Sequence, residues 1–284
     1  MSSLSNILKS IKALFRLPIT LSEINTKLDE LHLIKSKLND IEEQLNNIDV
    51  NFKTDQQVKS EMLILISGFE SKIDIHFLQI ESLFSIYNSL PNLRLLPSTR
   101  GWAGSPDFLA KILEVILKEK PGFVLEASSG VSTVIIGLAL KLNNYGKSIS
   151  LEHDSLFTKI SLENIKVNAI EDFSSVKYCP LTEHHNSEQV WKWYETADLD
   201  LNEKIDILII DGPPRYTQHL ARLPAVPLLY KLFSDRILIL LDDTNRHDEI
   251  VILKEWIIFL ENNGFKVSVN EYKNFEKGMV ILEA

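Results

Sequence analysis

Four mostly apolar runs from residue 124 onward each end on an acid: Val124-Leu125-Glu126, Ile149-Ser150-Leu151-Glu152, Ile207-Leu208-Ile209-Ile210-Asp211 and Leu238-Ile239-Leu240-Leu241-Asp242. Near-continuous apolar runs suit strands buried on both faces of a parallel sheet. The stretches between them carry apolar residues at helical spacing. Strands are expected at Phe123–Glu126, Ser148–Glu152, Val176–Cys179, Ile205–Asp211 and Ile237–Asp242. Helices are expected at Ser132–Leu142, Leu156–Asn168, Ala225–Phe233 and Asp248–Asn262, with another opened by Ser105-Pro106-Asp107, a cap residue followed by proline. This alternation predicts an open α/β sheet. Its end breaks the rule: Phe265–Tyr272 and Met279–Glu283 have no helix between them, so they pair antiparallel. A dinucleotide-binding Rossmann fold would continue with helical crossovers instead.

After Val124-Leu125-Glu126-Ala127 come Ser128-Ser129-Gly130, and Val131-Ser132-Thr133 then opens a helix. A strand that turns through small residues into a helix N-terminus is where open α/β sheets hold nucleotide-like ligands. The formal charge of −9 argues against a nucleic-acid partner, which would need a basic stripe. The single Cys179 rules out an internal disulfide framework and suits the reducing cytoplasm, the expected location.

Residues 1–90 read differently. Leu31, Leu38, Leu45 and Phe52 at heptad position a, with Ile34, Ile41 and Ile48 at d, predict a helical coiled coil. Leucine at a with isoleucine at d favours a trimer or tetramer, and Glu30 with Lys35 and Lys37 with Glu42 would attract across a parallel pair. The same pattern would also serve a helical hairpin within one chain. Residues 1–16 read as a basic amphipathic helix with Lys9, Lys12 and Arg16, which would suit peripheral contact with a membrane or docking on the protein itself. Prolines and glycines in 91–104 read as a connector, leaving 105–284 as the sheet domain.

From about Arg100 onward the chain resembles class I S-adenosylmethionine-dependent methyltransferases. The likeness rests on Glu126-Ala127-Ser128-Ser129-Gly130-Val131-Ser132-Thr133, Ser150-Leu151-Glu152-His153-Asp154, Asp211-Gly212-Pro213-Pro214 and Leu240-Leu241-Asp242-Asp243, taken in that order. Arg100-Gly101-Trp102-Ala103-Gly104-Ser105-Pro106 is similar to a bacterial subgroup found with polysaccharide-building enzymes. The resemblance implies a Rossmann-like sheet of seven strands with the hairpin last. It also implies S-adenosylmethionine as cofactor, held by Glu126, Ser128, Gly130, Ser132, Thr133, Glu152, His153 and Asp211. Glu152 would accept the ribose hydroxyls, and Ser128 stands where the family has glycine. Similarity to metal-dependent O-methyltransferases of catechols and macrolide sugars implies Mg²⁺ on Asp211, Asp242 and Asp243. Asp211 is the first choice for general base; His247 and His219 follow. Arg215 and Arg246 are candidates for an anionic group on the acceptor. The expected activity is O-methylation of a sugar or glycoconjugate hydroxyl. One alternative is a non-catalytic coiled-coil scaffold carrying a degenerate methyltransferase domain; another, a nicotinamide-dependent oxidoreductase, lacks the Gly-x-Gly-x-x-Gly run.

Overall fold

The computed structural model describes residues 29–30, 32–41, 43, 53–99, 101–186, 189–196 and 203–284. They fall into two compact units that divide between Glu81 and Ser82. The division lies inside a helix, ahead of the connector expected from residue 91.

In the first unit a helix through 32–41 (α1) lies beside helix α2, Lys53–Ser89, which continues into the second unit. Ile34 and Leu38 are buried with Ile66 and Ile73 of α2, and Ile41, Phe69, Phe77 and Ile80 pack around them. Lys35 Nζ reaches Asp74 Oδ1 at 2.5 Å. The described part of the heptad seam therefore meets α2 of its own chain, because Ile66, Ile73 and Ile80 repeat every seven residues. Leu31, Glu42, Leu45, Ile48, Phe52 and the basic segment 1–16 lie outside the described residues. Among the described residues no helix is long and apolar enough to cross a membrane.

The second unit is a seven-stranded sheet. Its strands are β1 (Phe123–Ala127), β2 (Lys147–Glu152), β3 (Ser174–Tyr178), β6 (Ile205–Ile210), β7 (Phe233–Asp242), β8 (Ser268–Tyr272) and β9 (Met279–Glu283), in the order β3-β2-β1-β6-β7-β9-β8. All neighbours are parallel except β9, which runs antiparallel to both β7 and β8. This is the Rossmann-like sheet with a terminal hairpin that the sequence implies. The period of two sorts the strands between two cores. Val124, Ile207, Ile209, Leu238 and Leu240 face one side, with helices α3 (Pro106–Glu119), α4 (Val131–Asn143) and α5 (Ser155–Val167). Leu125, Leu208, Ile210, Ile239 and Leu241 face the other, with α6 (Ala225–Leu229) and α7 (His247–Asn262).

Several boundaries differ from expectation; β8, for one, begins at Ser268 rather than Phe265. Strand β7 begins at Phe233, not Ile237, because an irregularity in the pairing lets Phe233 face Ile205 while Leu238 faces Ile207. The polar residues Ser234-Asp235-Arg236 hide that start from an apolar count. The helix expected over Ala225–Phe233 therefore stops at Leu229 and ends in a 3₁₀ turn, Tyr230–Leu232. The segment before β6, for which no element is expected from the sequence, is an antiparallel hairpin of β4 (Leu181–Asn186) and β5 (Gln189–Tyr194), with Trp193 and Tyr194 buried in the second core.

Candidate active site

Parallel strands bring their carboxyl ends to one edge of the sheet, and the turn after β1 is fastened there from both sides. Ala127 O accepts from Gly212 N at 2.7 Å and from Asp211 N at 3.3 Å, and Ser128 N donates to Leu151 O at 3.1 Å. Ser128 has φ +143° and Gly130 φ +147°. Glycine accepts such angles without strain; serine does not. A Cβ on Gly130 would meet nothing within 4 Å, so the turn opens onto free space. Ser128 Oγ is buried with no hydrogen-bond partner. A backbone outlier of this kind stores about 1–3 kcal/mol, against roughly 0.5–1 kcal/mol of added chain entropy for glycine. Ser128→Gly is expected to raise the melting temperature by about 2–4 °C, the equivalent of roughly 1 kcal/mol in a domain of this size. An unchanged or lower melting temperature would show that the turn is not strained.

Behind the turn, Glu126 is fully buried. Its Oε2 accepts from Thr133 Oγ1 at 2.7 Å and from the Ser150 hydroxyl. Burial pushes the carboxyl up to about 7, against the pull of the Ser132, Ser150 and Thr133 hydroxyls. Thr133 Oγ1 also accepts from Gly130 N at 3.1 Å and so caps α4. Glu126 and Thr133 thus brace the turn from inside rather than lining its open side.

Glu152 ends β2 and is held on both oxygens. Oε2 accepts from Ser129 Oγ at 2.7 Å; Oε1 accepts from Asp154 N at 2.9 Å and lies 3.1 Å from His153 Nδ1. Burial raises its pKa, but His153, the Asp154 N–H and Ser129 outweigh burial, and the carboxyl sits below its ordinary value. Asp154 in turn caps α5, accepting from Leu156 N at 2.7 Å and Phe157 N at 3.3 Å. Glu152 is therefore an oriented carboxylate beside the open turn, suited to accept hydroxyl donors.

Asp211, Asp242 and Asp243 come together as expected, each offering an oxygen within 4.8 Å of the others. The sequence reading missed what lies among them. Arg222, from the loop before α6, is buried; its Nη2 donates to Asp243 Oδ2 at 2.6 Å, Asp211 O at 2.7 Å and Asp211 Oδ1 at 3.3 Å. Its Nη1 donates to Asp242 O at 2.9 Å and stands 3.7 Å from Glu249 Oε1. One guanidinium thus faces four acids. Burial pushes Asp211 up to about 6; Arg222 opposes this and Asp243 adds to it. Burial and then the charge of Asp211 push Asp242 well above the ordinary range. Both Asp242 oxygens and Asp243 Oδ1 are buried without hydrogen-bond partners. Arg246, an acceptor-binding candidate, instead reaches Asp243 Oδ2 at 2.8 Å.

The remaining candidates separate. His247 is exposed at the first turn of α7, and among the described residues it enters none of the ion pairs around Asp211 and Asp243. His219 is exposed, 4.0 Å from Asp248. Arg215 is exposed in the loop after β6. Tyr194, not singled out from the sequence, comes off β5 so that its hydroxyl crowds Gly212. Burial and then the negative charge of Glu152 push its phenol well above the usual value. The signal for Arg222 was present: a lone arginine in the apolar run Leu220-Ala221-Arg222-Leu223, shortly after a strand-end acid.

No family model matches the chain, and no curated protein matches it. Solved structures do. An O-methyltransferase from Bacillus cereus in complex with SAH aligns with TM-score 0.48 at 14% identity, covering 73% of this chain and 90% of that one. The N-terminal domain of human METTL16 in complex with SAH gives 0.49 at 15% identity, with 72% and 80% covered. The O-methyltransferase TomG from Streptomyces achromogenes, in complex with SAM, gives 0.47 at 11% identity, with 70% and 88% covered. None of these is similar enough in sequence to assign a reaction.

Proposed function

We propose that the second unit is an S-adenosylmethionine-dependent O-methyltransferase acting on a sugar or glycoconjugate hydroxyl. The observation that carries the reading is Glu152, fixed on both oxygens beside an open turn in a sheet that ends in an antiparallel hairpin. Glu152 would hold the ribose diol, and the Ser128–Gly130 turn the amino-acid end, where the orphaned Ser128 Oγ offers a hydrogen bond. The cofactor supplies an activated methyl group, so the protein's task is alignment and exclusion of water. A hydroxyl acceptor needs a base, and Asp211, with its raised pKa, is poised near neutrality to accept that proton.

The three aspartates also fit a hard divalent cation. Their oxygens converge, and two on Asp242 and one on Asp243 lack partners. Mg²⁺ there would lower the pKa of the acceptor hydroxyl.

Glu152→Ala tests the reading. Loss of a charge-assisted pair of hydrogen bonds, about 1.5–3 kcal/mol, is expected to weaken S-adenosylhomocysteine binding roughly 10- to 100-fold by calorimetry. Unchanged affinity would remove the ribose assignment.

A further inference from the structure

Two aromatic side chains at this end of the sheet are exposed against the usual preference. Trp102 keeps 81% of its surface in solvent and Tyr216 keeps 71%. They nonetheless touch, with ring centroids 6.0 Å apart and planes at 90°. They come from distant segments, one before α3 and the other in the loop after β6. Both segments are anchored. Thr217 donates to Pro214 O through N at 3.0 Å and through Oγ1 at 2.8 Å, fixing the turn that carries Tyr216 shortly after Asp211. Beside Trp102, Ala103 O accepts from Lys277 Nζ at 2.8 Å. Lys277 O accepts from Asn245 N at 3.0 Å and Gly278 O from Thr244 N at 3.2 Å, which places this segment beside the chain that follows Asp242 and Asp243.

We propose that Trp102 and Tyr216 form the seat for a pyranose ring of the acceptor, beside the sheet edge that carries Asp211. Two parallel rings would sandwich a flat aromatic molecule. Perpendicular rings make an open corner, which suits a puckered ring with apolar C–H faces and a polar rim. Tyrosine and tryptophan each combine an apolar face with a hydrogen-bonding handle, so the corner can hold such a ring by its faces and leave its hydroxyls free. One of those hydroxyls would then point toward Asp211. This assignment deepens the methyltransferase reading and rests on it for the fate of that hydroxyl; the ring site itself does not depend on the cofactor.

Saturation-transfer NMR on the full chain tests it, with the methyl β-pyranosides of glucose, galactose and mannose as probes and catechol as the flat competitor. Transfer to the ring protons of at least one pyranoside is expected, with affinity about tenfold lower in Trp102→Ala and in Tyr216→Ala, the loss of one ring contact. Trp102→Phe should restore part of it. Neither side chain is buried, so the variants are expected to fold, with wild-type melting temperatures and wild-type affinity for S-adenosylhomocysteine as the check. No transfer to any pyranoside, equal transfer in the alanine variants, or transfer to catechol alone would overturn the proposal. Pyranoside binding that is lost in the variants, in a protein that does not bind S-adenosylhomocysteine, would keep the ring site and remove the methyltransferase reading. Cofactor binding without pyranoside binding would do the reverse.

Discussion

Arg222→Met is expected to lower the melting temperature at pH 7.5 by roughly 10 °C, from a loss of about 3–5 kcal/mol. Methionine fills much of the same volume, so the loss reports charge rather than a cavity. The guanidinium is buried and makes direct contact with Asp211 and Asp243, with Glu249 3.7 Å away and the Asp242 carbonyl on its other side. Its removal strands these buried acids, and desolvated charge without a partner is the costly case. The sign with pH follows from Asp211. Its folded pKa is about 6, above that of an unfolded aspartate, so the folded state binds more protons between those values and stability falls as pH rises through that window. In Arg222→Met the charge that holds Asp211 down is gone and its pKa rises further, so the deficit should shrink at pH 5 and grow at pH 8. Arg222→Lys keeps the charge without the fork and should fall between. A variant within about 1 kcal/mol of wild type at pH 7.5 would show that the cluster does not need its cation.

The second large effect is on rate. Asp211→Asn keeps size and shape but removes the proton acceptor, and transfer of a labelled methyl group to a pyranoside acceptor should drop about 10²- to 10⁴-fold. The base works unprotonated, so the wild-type rate should climb with pH through about 6 and then level. Mg²⁺ bound at Asp211, Asp242 and Asp243 would favour the charged carboxylates and move that rise to lower pH. A rate in Asp211→Asn within threefold of wild type, well short of the loss of a general base, would exclude the role.

Much of the sheet was legible because an apolar run ending on an acid marks both a buried strand and the edge where its ligand-facing residue emerges. Glu126, Glu152, Asp211 and Asp242 all fall at that edge. Their roles were less legible. Glu126 looks from the sequence like Glu152, yet it turns inward to Thr133 and Ser150, while Glu152 is held at the rim by Ser129 and the Asp154 N–H. Arg222 could be read only as a lone cation in an apolar loop, since the acids that bury it come from three separate segments. The heptad residues Ile34 and Leu38 specify a partner stripe but not the chain that carries it, and α2 supplies one in the same molecule. Ser128 stands where the methyltransferases that the sequence resembles have glycine, and its positive φ is one that glycine adopts without strain.

The open turn after β1, beside Glu152, is expected to take S-adenosylmethionine rather than a dinucleotide. Calorimetric titration of the wild-type chain with S-adenosylhomocysteine, and separately with NADH, tests it most directly. Saturable heat with S-adenosylhomocysteine at one site per chain is expected, and none with NADH. A folded protein that gives no heat with S-adenosylhomocysteine, or binds NADH instead, would contradict it.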